Sequence, residues 1–161
     1  MPTDLSPEEV TRSHRWHAVE CNNLAWGLAD APARTPAQDE QMLNAAHASA
    51  FHWATVGTEL HLARARLLLA KVHAVLGHPH MAIAYARQSN DYILSHDPPD
   101  WEAAFAHAVL AHAAYAVGDP NLHSAEYALA QHLGDAISDS EDRQIFLKAF
   151  TSVPRPKSLG A

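Results

Sequence analysis

The stretch "SHRWHAVECNNLAW" places His14, His17 and Cys21 at i, i+3 and i+7, a spacing that puts all three on one helical face. Two imidazoles and a thiolate on such a face can hold zinc or copper once a neighbouring helix adds a fourth ligand. The same positions also extend an apolar stripe through Val10, Leu24 and Leu28, in which a free thiol behaves as a small hydrophobe. Two His-x-x-Glu pairs, His17 with Glu20 and His123 with Glu126, run opposite to the Glu-x-x-His order of di-iron carboxylate bundles and read as local surface contacts. No His-Glu-x-x-His, phosphate-cradling glycine loop, Gly-x-Ser-x-Gly or paired-cysteine motif occurs. The expected chemistry is therefore binding without catalysis and without a cofactor.

His107 and His112 lie in the chain's most apolar helix pattern, and a five-residue separation turns them roughly 140° apart on a 3.6-residue helix. They cannot serve one ligand. One is expected to point into the core and find a hydrogen-bond partner, the other to line a surface groove. Burial would hold such an imidazole neutral, with stability lost in acid.

The elements that position these residues are marked by their ends. "SPEE" offers Ser6 as N-cap, Pro7 at the first helical position and Glu9 to complete a capping box; "TPAQ" repeats this with Thr35 and Gln38. Asp119 before Pro120, and Ser138 with Glu141, mark two later starts. In "AVLGHPHMAIAYA", Gly77 and Pro79 break an apolar run so that two helices turn back on each other, leaving His78 and His80 as solvated loop residues. These marks predict helices over 7–29, 36–56, 58–76, 79–95, 99–117, 120–137 and 141–150, with no alternating, β-branched segment to suggest a strand. The fold class is all-α: about seven helices as stacked antiparallel hairpins in one domain over residues 1–150, followed by a mobile tail over 151–161.

Composition narrows the partners. With 18 acidic and 11 basic residues, the formal charge of -7 and the lack of a basic run argue against nucleic acid. The most apolar run free of ionised side chains, Ala103 to Val117, is too short for a membrane span of about 20 residues. A lone cysteine and an N-terminal segment unlike a secretory signal lead to an expected cytoplasmic location. Thirteen histidines carry the charge from -7 to +6 if all are protonated, so net charge reverses in mild acid.

From the third helix onward the starts recur at about 20-residue intervals, the spacing of stacked helical hairpins. "AVLGHPHMAIAYARQ" and "YAVGDPNLHSAEYALAQ" share a small-apolar helix end, Gly-x-Pro and an alanine-rich helix. On these residues the chain resembles the tetratricopeptide repeat family: Ala70, Gly77 and Ala82 in one copy, and Ala111, Gly118 and Ala125 in the next, stand at its small-residue positions. Arg66 takes the place of its early aromatic, and His73 and Ala114 that of its tyrosine. The resemblance implies a right-handed superhelix whose concave face binds peptides. Carried over by register, that face comprises Arg64, Lys71, Phe105, His112 and Tyr115, with Asn22 and Trp26 from the first helix. Two cations among aromatics suit an acidic or carboxylate-ended peptide. The leading expectation is a non-enzymatic scaffold for a protein or peptide partner. The alternative, from the histidines, is a metal- or small-molecule-binding protein with hydrolytic chemistry. A short open stack leaves its end faces uncapped, and a homodimer would cover them.

Overall fold

The computed structural model describes residues 5–157, which form seven helices and no strand: α1 (Pro7–Ala29), α2 (Pro36–Val56), α3 (Glu59–Val75), α4 (Pro79–Ile93), α5 (Asp100–Val117), α6 (Pro120–Asp135) and α7 (Ser140–Phe150). The starts follow from side-chain oxygens that satisfy otherwise unpaired N–H groups. Ser6 with Glu9 and Thr35 with Gln38 form reciprocal capping boxes, and Asp119 accepts from the Leu122 N–H. Thr58 and His61 form a further box, an imidazole standing where glutamate or glutamine is usual. At α7 the cap is Asp139, one residue after the expected Ser138. Ser138 instead donates to the Asp100 carboxylate at the start of α5.

Gly77 and Gly118 adopt φ of 71° and 78°. Each lets the following N–H reach back across the helix end, His78 to the His73 carbonyl and Asp119 to the Ala114 carbonyl. The chain then reverses, and α1–α2, α3–α4 and α5–α6 pack as hairpins. The odd-numbered helices α1, α3 and α5 form a contiguous layer, whereas α2, α4 and α6 do not touch one another.

Small residues let these layers close. Ala63, Ala70 and Ala74 of α3 meet Ala82 and Ala86 of α4, and Ala106 and Ala113 of α5 complete the same cluster. Each methyl contributes little by burial, about 0.8 kcal/mol per buried carbon; the larger gain is the close approach of helix backbones, which polar side chains then stitch. Ser49 donates to the Ala18 carbonyl between α2 and α1, and Asn90 donates to the Ala106 carbonyl between α4 and α5.

The last helix departs from the hairpin rule. α7 packs on α5 and α6, with Phe146 buried in a cluster with Ala104, Ala108, Ala130 and Val153. The segment expected to be a tail from Thr151 is packed over its first residues: Val153 is buried, and the Pro154 carbonyl lies 2.8 Å from His123 Nε2. Residues 158–161 of that expected tail lie outside the described residues.

The ring of Phe146 rests directly on Gly134 of α6, where a Cβ would overlap it. Gly134→Ala is therefore expected to destabilise by about 2 kcal/mol through overpacking, although alanine is favoured over glycine within a helix by about 1 kcal/mol. Urea unfolding checks this; a stabilised variant would show that α7 does not sit on this seam.

Candidate functional site

An open cavity of about 440 Å³ lies between α1, α3, α5 and α7. Trp26 of α1 and Phe105 of α5 meet edge to face at 5.8 Å, and Phe105 in turn meets Trp101, one turn earlier, at 6.4 Å. Arg64 of α3 crosses the floor. Its guanidinium is bidentate to Glu102 at 2.6 and 3.2 Å and sits 5.6 Å from the centre of the Trp101 ring. The hydrogen bond to Glu102 outweighs partial burial and raises the Arg64 pKa further above its usual range. Asn22 of α1, Asp30 just past its end, and Asp142 and Ile145 of α7 complete the walls.

Four of the seven residues expected on the binding face therefore converge: Asn22, Trp26, Arg64 and Phe105. The other three do not line this space. Lys71 is 2% exposed, with its ammonium 3.3 Å from Asp30 and donating to the Ala149 carbonyl and to Ser152 Oγ. Burial pushes its pKa below the usual lysine value, against the pull of Asp30. His112 is buried with Nδ1 lacking a hydrogen bond, and Tyr115 is 53% exposed beside the His123 ring. The repeat register treats the face of α3 and α5 as open, but α7 and residues 151–154 return over its far end and cover Lys71.

The register missed Trp101 and Glu102, although both precede Phe105 by one turn on the same helical face. Asp142 and Ile145 carried no comparable signal, because α7 belongs to no repeated pair.

The stripe of His14, His17 and Cys21 divides. His14 Nδ1 lies 2.7 Å from His52 Nδ1 and His17 stacks on the His52 ring, while Cys21 packs toward the cluster shared by α1, α2 and α3. Burial, then the His14 and His17 charges, lower the His52 pKa. Among the described residues, no group of three or more His, Cys, Asp and Glu is arranged to hold a metal ion. The His123 and Glu126 pair takes other partners: Glu126 lies 2.6 Å from His107 across α5–α6, and His123 turns to Pro154. His107 and His112 diverge as their spacing requires, but His107 faces α6 instead of a groove. His78 and His80 are both exposed, as expected, and His78 also brings its Nδ1 within 3.0 Å of His73 Nδ1. At the end of α2, Phe51 is 64% exposed while Trp53 stacks on His61 at 4.2 Å.

No helix of the described residues is long and apolar enough to cross a membrane. The chain matches no protein-family model, no curated protein and no solved structure.

Lys71→Met removes the cation paired with Asp30 and leaves that carboxylate uncompensated, so it should lose about 2 kcal/mol, less than a fully buried pair because Asp30 keeps 17% exposure. Asp30→Asn in the same chain should restore part of that loss in a double-mutant cycle measured by urea unfolding. Strictly additive losses would mean that the two groups do not interact.

Burial first, then neighbouring His47 and His78, lowers His73 from 6.5 to about 4. Burial, then Lys71 and His123, lowers His112 from 6.5 to about 3. Both folded values lie below the unfolded ones, so the unfolded chain binds more protons. The stabilising contribution is whole above pH 6.5 and is lost as pH falls toward the folded values. Between pH 7.5 and 5.5 the chain should lose about 1 to 3 kcal/mol; thermal melting checks it, with His73→Gln/His112→Gln showing a smaller drop. Equal melting temperatures at the two pH values would remove this account.

Proposed function

We propose that this chain is a non-enzymatic scaffold that captures a peptide segment of a partner protein on the face formed by its odd-numbered helices, in the manner that its likeness to tetratricopeptide repeats implies. The observation that carries the reading is the open cavity in which Trp26, Arg64, Trp101 and Phe105 converge from three helices. Large rings and an arginine held in place before a ligand arrives lose little entropy on binding, and such residues dominate recognition energies. A cytoplasmic setting and a second copy of the chain at the open α1–α2 end belong to the same proposal. Trp16 and Phe51, 58% and 64% exposed there, supply apolar surface for that contact.

A screen of immobilised random peptides tests the binding. Wild-type protein should retain a defined subset, and Trp101→Ala and Ile145→Ser should each weaken that capture by about tenfold, roughly 1.4 kcal/mol. Ile145 is 55% exposed, so its replacement should leave the melting temperature nearly unchanged. Peptides that bind both variants as tightly as wild type would place recognition elsewhere on the molecule.

A further inference from the structure

The charges around the cavity identify the kind of group it takes. Arg64 is already bidentate to Glu102, and Lys71 is committed to Asp30, to the Ala149 carbonyl and to Ser152. Neither cation is left for an acidic ligand, which removes the basis for expecting an acidic or carboxylate-ended peptide. Asp142, on the α7 wall, has no ion pair and its carboxylate accepts no hydrogen bond among the described residues. The two ion pairs cancel, so the lining holds one carboxylate in excess.

The apolar half of the wall points the same way. Trp26, Trp101 and Phe105 are the ring types whose negative faces attract ammonium and guanidinium groups. The Trp101 ring already carries one such contact inside the protein, with the Arg64 guanidinium 5.6 Å from its centre. An anion entering here would meet Asp30, Glu102 and Asp142 with no uncommitted positive charge, whereas a monocation meets one free carboxylate and aromatic walls.

We propose that the pocket receives a single organic cation, the side chain of an arginine or lysine in a partner's basic segment. This rests on the peptide-binding reading above and names the residue class that reading leaves open. Asp142 supplies the charge, the three rings supply the contact surface, and the paired Arg64 and Lys71 keep the remaining carboxylates neutralised.

Titration followed by tryptophan fluorescence tests it, using short blocked peptides of alanine and glycine that differ only in a central Arg, Gln or Glu, together with butylguanidinium. The Arg peptide should bind about tenfold tighter than the Gln peptide and tighter still than the Glu peptide. That advantage should shrink several-fold in Asp142→Asn and in high salt, since a partly exposed charge pair is screened. A Glu peptide that binds as well as the Arg peptide overturns the cation assignment and leaves peptide binding standing. Butylguanidinium that binds while every peptide fails overturns peptide binding and leaves the cation assignment standing. An Arg preference unchanged in Asp142→Asn overturns the role given to that carboxylate, and no binding by any probe overturns both readings.

Discussion

The buried ammonium of Lys71 is the constraint around which the end of this fold is arranged. A lysine that is 2% exposed must find charge and acceptors in place of water, because an uncompensated buried charge costs several kcal/mol. Three partners reach it from two helix ends: Asp30 at the end of α1, and the Ala149 carbonyl and Ser152 where α7 ends. The requirement to satisfy one cation thereby draws α7 back toward α3, past the helices beside which it lies in sequence. Phe146 on Gly134 and the buried Val153 secure that return. Without it the face of α3 and α5 would stay open along its length, and no pocket would have a fourth wall.

The histidines take a second role forced by the alanine seams. Alanine brings helix axes close but fills little volume, and larger side chains must occupy the space at the edges of each seam. Imidazole is flat, half polar and able to both donate and accept when neutral. Here the rings associate with one another and with tyrosine: His73 lies against His47, His78 and Tyr85, and His52 against His14 and His17. Burial first, then the repulsion between protonated neighbours, favours the neutral ring at His52 and His73. Of the thirteen histidines, His73, His112 and His123 are the buried ones among the described residues, and the first two tie the fold to the neutral imidazole.

Most of the architecture was legible because it is written locally. Capping boxes at Ser6 and Thr35, positive-φ glycines at 77 and 118, and prolines at first helical positions act within a few residues, so the seven helices stand close to where those marks put them. The pocket was legible only in part. Asn22, Trp26, Arg64 and Phe105 lie on helices related by the hairpin repeat, and register alone brought them together. Of the other three, Lys71 and His112 are buried and Tyr115 is exposed outside the cavity; for Lys71 the difference is made by the return of α7. That return depends on contacts such as Lys71 with Ser152, separated by 81 residues, and no local pattern encodes a contact of that range. The cap at α7 shows the same limit in miniature: Ser138 was drawn from its local role by Asp100, 38 residues away.

The pocket exists because the stack cannot fill itself at this point. α1 and α5 both pack on α3 and meet each other only through side chains such as Trp26 and Phe105, and α7 packs on α5 and α6 with its backbone clear of α1. Three walls are therefore fixed by hairpin packing, while the fourth leans in from one side and leaves a mouth between α7 and α1. Trp26, from α1, bridges part of that gap by meeting Phe105 edge on, yet rings large enough to span it cannot also close it. The aromatic groups are then both structural, since they hold α1 against α5 across α3, and available, since each keeps surface toward the opening. A ligand seated among them would contact α1 and α7 together, the two elements the fold itself leaves unjoined except through Lys71. Binding and stability are coupled by that geometry: whatever occupies the mouth adds to the same link that the buried ammonium makes from below.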